Sequence, residues 1–171
     1  MAVGSFGKSL SEVMKLRGKS QVNTAQEIHI DNSTLSKVAG GSRTATSELM
    51  RSTNELLDDG QLAIAAAGEV TGGAFAPWLD NVDLHRASVL FKTVEEMKEV
   101  IALSETTAIF KTADQISEAE RQQIKVLIKE TIEAITALTH LVAILCREYT
   151  FSWLGVWKEH RTDMRIKKYM K

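Results

Sequence analysis

Four side chains in the second half of the chain are of types that ligate metal ions. Glu130 and Glu133 are three residues apart, His140 follows seven residues later, and Glu148 lies further along. Carboxylate-bridged metal sites in helical bundles place a histidine three residues after a glutamate, so this spacing does not fit that chemistry. We therefore expect charged helix flanks and a buried histidine here, with no metal and no cofactor.

The sequence also lacks the usual signatures of catalysis. No glycine-rich phosphate loop follows a strand, no nucleophile is paired with a base, and no Cys/His set has metal-ligand spacing. Glu95, Glu96 and Glu99 are expected on a solvated helix face. In the absence of these signatures, we expect that the protein is not an enzyme. The longest apolar run, Leu141–Cys146, is too short to span a bilayer, so we expect a cytoplasmic protein with no membrane partner.

The charge is unevenly distributed along the chain, although the net charge is only −1. Residues 1–57 carry seven basic and five acidic side chains, whereas residues 58–171 carry fourteen basic and seventeen acidic ones. Seven cations on one small domain suffice for contacts with nucleic-acid phosphates if they share a face. The last fifteen residues, 157–171, hold six basic and two acidic side chains. This tail is interpreted as a solvated helix end, a second DNA contact or a site for an acidic partner.

The elements that would position these residues are helices. The chain has one proline and ten glycines, and long stretches contain neither residue, which favours an all-α protein. We expect about five helices in a first domain at residues 1–67, a hinge at 68–77, and an α-helical bundle with one long helix at 78–171. Periodicity and capping residues predict helices at the following positions: 5–17, 20–29, 32–39, 46–57, 61–68, 93–111, 118–149 and 151–169.

The long predicted helix carries apolar residues at alternating spacings of four and three, which is the pattern of a helix–helix seam. The seam residues are Ile124, Ile128, Thr131, Ile135, Leu138, Val142, Leu145 and Tyr149. A stripe this broad must be buried, either inside a bundle of the same chain or between two copies. We expect a homodimer joined through residues 118–149.

The segment at residues 20–43 resembles the helix-turn-helix of the Xre/Cro and phage-repressor family. The matching residues fall in register without a gap: Ser20-Gln21, Ala25, Ile30, Ser33-Thr34-Leu35-Ser36-Lys37-Val38 and Gly41. The resemblance extends over residues 7–57. The sequence departs from the family pattern at Thr24, at Ala39 and at His29, which replaces the turn glycine and requires a left-handed or altered backbone there.

The resemblance implies a recognition helix that begins near Asn32. Asn32 is the expected base reader, because a side-chain amide can form two hydrogen bonds with adenine. Gln21 is expected on a phosphate or a base edge, and Lys37 and Arg43, with Lys19 as a further candidate, on phosphates. The remaining expected DNA-binding residues have short polar side chains that let a helix enter the major groove: Ser33, Thr34 and Ser36.

These observations predict a sequence-specific transcriptional regulator, with double-stranded DNA as its partner. The expected form is a repressor of a prophage or mobile element, bound to an inverted repeat as a homodimer, with a protein or small-molecule effector as a further possible partner of its C-terminal half. The alternative is an adaptor or anti-activator whose helical C-terminal half binds another protein.

Overall fold

The computed structural model describes residues 5–171, so the first four residues of the expected first domain lie outside the described range. Within that range the chain forms eight α-helices and no strand. The helices are α1 (Ser5–Leu16), α2 (Gln21–Glu27), α3 (Asn32–Ala39), α4 (Ser47–Leu57), α5 (Gly60–Val70), α6 (Arg86–Thr106), α7 (Glu118–Glu148) and α8 (Trp153–Ile166). The predicted all-α class with one long helix is confirmed.

The short N-terminal helices begin and end at residues with specific capping roles. The side chains of Asp31, Thr46 and Asp59 accept hydrogen bonds from free backbone amides at the starts of α3, α4 and α5. At the end of α2, His29 takes the left-handed conformation at φ 56°. The amides of His29 and Ile30 donate to the carbonyls of Gln26 and Ala25, as in a Schellman motif. The left-handed turn expected at His29 is therefore present.

The described residues divide into two compact units, each with its own contacts. The first comprises the described part of residues 1–78 together with Leu145–Lys171, and the second comprises Leu79–Ile144. The sequence interpretation had placed 145–171 with the second module and a hinge at 68–77. In the structure α5 continues to Val70, and the chain after residue 144 packs in the first unit.

The core of the first unit is built by α1, which packs against α3, α4 and α5. Its fully buried side chains include Phe6, Leu10, Val13, Leu35 and Leu62. A Cβ atom at Gly7 would clash with the carbonyl oxygen of Val38, so glycine permits the close approach of α1 and α3. Val22 is 49% exposed, because α2 turns Thr24 and Ala25 into the core instead.

The end of α7 and the start of α8 join the first unit through polar contacts. Arg147 binds Asp59 with an Nη2–Oδ1 distance of 2.7 Å, and the backbone amide of Leu154 donates to Oδ1 of Asp58 at 2.8 Å. Trp153, the first residue of α8, is buried. These contacts give the physical reason why residues 145–171 belong to this unit.

The second unit is an antiparallel pair formed by α6 and the part of α7 that precedes Leu145. The hydroxyl of Thr93 on α6 donates to the carbonyl oxygen of Ala137 on α7 at 3.2 Å. His140 is 3% exposed, as expected for a buried histidine. Its Nε2 accepts from the amide of Leu79, and its Nδ1 lies 2.8 Å from the carbonyl oxygen of Thr136.

The predicted seam of α7 is left largely uncovered by the single chain. Its exposed fractions are 56% for Ile128, 47% for Ile135 and 39% for Leu138. The buried side chains of α7 include Ala134 and His140, which lie on a different face of the helix. The intramolecular bundle that would bury the seam is therefore absent from the described chain. No described helix combines the length and the apolarity needed to cross a bilayer.

Candidate nucleic-acid interface

The candidate recognition helix is α3, which begins immediately after the turn at His29. Asp31 is its N-cap, and its Oδ1 accepts from the amides of Ser33 and Thr34 at 2.9 and 3.3 Å. Leu35 and Val38 are buried, at 0% and 2% exposure, and fix the inner face of the helix. Because α3 packs on both α1 and α2, its outer face is held in a defined orientation.

Four of the predicted site residues share that outer face. Asn32, Ser33, Ser36 and Lys37 are all exposed, and they form two pairs four residues apart, which lie one turn above one another. Thr34 is only half-buried and lies at the flank of this face. The structure thus brings together the amide, the hydroxyls and the ammonium group that the sequence had selected.

The hydroxyls of this group differ in their partners. Ser33 donates its hydroxyl hydrogen to Oδ1 of Asp31, and Thr34 accepts from Nη1 of Arg43 at 3.4 Å. Among the described residues, the side chains of Asn32, Ser36 and Lys37 make no hydrogen bond or ion pair. Their donors and acceptors face solvent and are free to bind a ligand.

Arg43 follows α3 in the loop that leads to α4. The loop turns at Gly41, which has φ 74°, and the amide of Ser42 donates to the carbonyl oxygen of Lys37. Arg43 is exposed, and its weak hydrogen bond to Thr34 directs the guanidinium along α3. The guanidinium of Arg43 thus lies beside Thr34, at the flank of the candidate helix.

The predicted residues at the start of α2 are less uniform. Gln21 is the first residue of α2 and is half-buried, with no side-chain partner among the described residues. Lys19, a candidate phosphate contact, instead binds both carboxylate oxygens of Glu27 at 2.6 and 2.7 Å. No sequence pattern indicated this pair, because Lys19 precedes α2 and Glu27 is the last residue of α2.

The N-cap carboxylate of Asp31 lies at the start of α3, beside its outer face. The hydroxyl and the amide of Ser33 hold the pKa of Asp31 below its usual value, with smaller contributions from the Thr34 amide and Lys37. Asp31 is therefore ionised at neutral pH, and its charge is directed at the free amides of α3. The cap stabilises the helix and leaves the outward face to uncharged and cationic groups.

A second cluster of polar groups lies within the second unit, and the sequence identified only part of it. Carboxylate oxygens of Glu96, Glu130 and Glu133 lie within 4.8 Å of one another. Glu96 is 5% exposed, so its expected place on a solvated face is wrong; α6 turns it towards α7. Lys92 binds Glu96 at 2.8 Å and Lys129 binds Glu133 at 2.9 Å. His140 is engaged elsewhere, as described above.

Comparison with known proteins identifies no relative. No protein-family model, curated protein or solved structure matches the chain.

Proposed function

We propose that the protein is a sequence-specific regulator of transcription that reads double-stranded DNA with α3, in the manner of the Xre/Cro helix-turn-helix family that its sequence resembles. The observation that carries this proposal is the outer face of α3. Asn32, Ser36 and Lys37 are exposed there and make no hydrogen bond or ion pair among the described residues, while Leu35 and Val38 anchor the opposite face in the core. A short helix with this division fits the major groove.

Each residue of the interface has a distinct role in this proposal. Asn32 reads adenine through a bidentate amide contact, and Ser33 and Ser36 permit close approach of the helix to base edges. Lys37 and Arg43 bind phosphates and fix the register, and Thr34 orients Arg43. Gln21 contacts the backbone or a base edge from the start of α2.

We further propose that the regulator is a repressor that acts as a homodimer in the cytoplasm. One helix-turn-helix covers few base pairs, and readers of this type gain affinity by placing two recognition helices about 34 Å apart on an inverted repeat. The exposed stripe on α7 that contains Ile128, Ile135 and Leu138 supports a second copy as its occupant, because an α6–α7 pair alone leaves these side chains in water. A prophage or mobile element is the proposed genetic context.

A specific observation favours a second candidate, a protein-binding adaptor. In the second unit, Phe110 is 95% exposed and Phe91 is 69% exposed. Aromatic side chains of this exposure are typical anchors of protein interfaces. In this alternative the second unit binds another protein, and the first unit is secondary.

Selection of bound sequences from a pool of random duplexes distinguishes the two functions. The full chain is incubated with the pool at low salt, bound duplexes are recovered over several rounds, and the enriched pool is sequenced. A regulator enriches an inverted repeat, and at nanomolar to micromolar concentration the protein retards the migration of that duplex in a gel. An adaptor retards neither the enriched pool nor random duplexes, and that result would refute the proposed function.

A further inference from the structure

The last helix and the residues after it form a strongly basic surface. The six basic side chains between Lys158 and the C-terminus are all exposed, and none makes an ion pair or a side-chain hydrogen bond within the described chain. They are Lys158, Arg161, Arg165, Lys167, Lys168 and Lys171. The acidic residues of this segment are Glu159 and Asp163.

Elsewhere in the chain many of the lysines and arginines have acidic partners, as Arg17, Lys19, Lys92 and Arg147 do. We call residues 158–171 the basic arm.

The basic arm is attached firmly to the unit that contains α3. Ser152 caps α8 by accepting from the amide of Gly155 at 2.8 Å. Trp153 is buried, and the amide of Leu154 donates to Asp58 at 2.8 Å. Arg147, just before α8, binds the buried carboxylate of Asp59. An arm fixed in this way holds its charges in a constant place relative to the first unit.

The attachment point lies close to the start of the helix-turn-helix. The carbonyl oxygen of Asp58 accepts from Nη2 of Arg17 at 3.0 Å, and Arg17 precedes Gln21 by four residues. At 1.5 Å per residue the fourteen residues of α8 span about 21 Å, the length of roughly six base-pair steps. α8 therefore has the length to contact phosphates over several base pairs.

The end of the basic arm is ordered and cationic. Lys168 takes the left-handed conformation at φ 59°, and the amides of Lys168 and Tyr169 donate to the carbonyls of Arg165 and Met164. This Schellman motif favours glycine at the position that Lys168 occupies. The helix thus ends in a hydrogen-bonded turn that contains Lys167 and Lys168.

We propose that the basic arm is a second DNA-binding surface, which binds phosphates flanking the site read by α3. The proposal rests on the proposed function and adds a ligand contact to it. Phosphate contacts of this kind supply affinity that is independent of sequence. They also allow a chain with a net charge of −1 to hold a polyanion, because six exposed cations are concentrated in one short segment.

The test compares two double variants that each remove two unpaired, exposed lysines. Lys167→Gln/Lys168→Gln alters the basic arm, and Lys98→Gln/Lys125→Gln alters the second unit to the same extent in charge. Binding to the selected repeat, and to a random duplex of equal length, is measured by fluorescence anisotropy between 50 and 200 mM salt, about the range over which phosphate contacts are resolved. Circular dichroism confirms equal helix content.

The arm variant is expected to lower the magnitude of the slope of log K against log salt by about 1–2, and the control variant to leave it unchanged. The loss affects the selected repeat and random DNA by the same factor. Trimming the duplex to the bare repeat abolishes the difference between the parent and the arm variant.

Two results would overturn the proposal, and they differ from failure of the proposed function. If the parent binds the repeat specifically and the arm variant has the same slope, the basic arm does not bind DNA. If the parent binds vesicles that contain anionic lipid, and the arm variant loses this binding while its binding to DNA is unchanged, the basic arm is a membrane contact. If the parent binds no duplex at all, the proposed function itself is refuted, and the proposal with it.

Discussion

Arg147 on α7 and Asp59 at the start of α5 form a two-point ion pair. Nη2 lies 2.7 Å from Oδ1 and Nε lies 3.1 Å from Oδ2, and the side chain of Asp59 is 1% exposed. Arg17 approaches the same carboxylate at 3.4 Å. Because Asp59 also caps α5 through the amide of Gln61, one buried carboxylate joins three parts of the first unit.

Removing the main partner of this carboxylate should destabilise the protein strongly. Arg147→Ala leaves Asp59 buried with only the longer contact from Arg17, and breaking a buried pair in this way costs about 3 kcal/mol of unfolding free energy. Denaturant unfolding followed by circular dichroism measures it. Lys129→Ala, which removes an exposed ion pair, is the control and should have a much smaller effect. Equal effects of the two variants would contradict the structural role of the pair.

The sequence predicted the local elements well because their signals are local. Asp31 before an amphipathic run and Ser117 three residues before Glu120 mark helix starts, and both contacts are present. Periodicity placed Leu35 and Val38 on the inner face of α3, whereas the candidate site residues on its outer face were selected by the resemblance to the Xre/Cro family. His29 illustrates the same point, since its left-handed turn followed from its place in the motif.

The longer-range contacts were not predictable from periodicity. Asp59 and Arg147 are 88 residues apart, and nothing in the sequence pairs them. The spacing of Glu95, Glu96 and Glu99 predicts one solvated face, but the packing of α6 against α7 buries Glu96. Lys19 is exposed in a linear reading of the sequence, but the fold of α2 brings Glu27 beside it. Pairing of this kind depends on tertiary packing, which a single sequence does not encode in any repeating pattern.

The hydroxyl of Thr24 is an unsatisfied polar group in the core of the first unit. Thr24 is 0% exposed, and its Oγ1 has no hydrogen-bond partner. Thr24→Val keeps the shape of the side chain and removes the buried hydroxyl, so it should raise the unfolding free energy by about 1 kcal/mol.

Thr53, which is equally buried, donates its hydroxyl hydrogen to the carbonyl oxygen of Leu49 at 2.7 Å. Thr53→Val is thus the matched control, and it should be neutral or destabilising. Thermal and denaturant unfolding of both variants check this, and a destabilised Thr24→Val would contradict it.

Asn32 and Lys37 should contribute to DNA binding in different ways. Asn32→Ala removes a base contact and should reduce the preference for the selected repeat over random DNA by about 1–3 kcal/mol. Lys37→Ala should weaken binding to both duplexes equally and lower the salt slope by about 1. Fluorescence anisotropy on the two duplexes separates these effects. Unchanged discrimination in Asn32→Ala would mean that α3 is not the reading helix.

Protonation of His140 should lower stability at mildly acidic pH. Burial lowers the pKa of His140 below its ordinary value of 6.5, against a smaller opposing effect of the hydrogen bond to Thr136. The folded state therefore binds a proton less readily than the unfolded chain. The stabilisation is complete above pH 6.5 and is lost as the pH falls towards the folded pKa, at a rate of at most about 1.4 kcal/mol per pH unit.

Urea unfolding of the parent between pH 7.5 and 5 measures this loss. His140→Asn should be less stable than the parent at pH 7.5, and its stability should depend less on pH. His160→Asn changes an exposed histidine and should retain the parent's dependence. If His140→Asn follows the same pH curve as the parent, another group is responsible for the titration.

A charge in the exposed stripe of α7 should separate the two copies without unfolding either one. Leu138 is 39% exposed in the single chain, so Leu138→Arg adds little cost to the monomer, but it buries an unpaired cation if the stripe is a dimer seam. Sedimentation velocity at micromolar concentration should give a dimer for the parent and an 18.9 kDa monomer for the variant, with unchanged helix content. Gln123→Arg, which adds the same charge at an exposed position of α7 outside the stripe, should remain dimeric.

Binding to the selected inverted repeat should weaken in Leu138→Arg and not in Gln123→Arg, since a monomer engages one half-site at a time. A parent that sediments as a monomer at this concentration would refute the proposed seam.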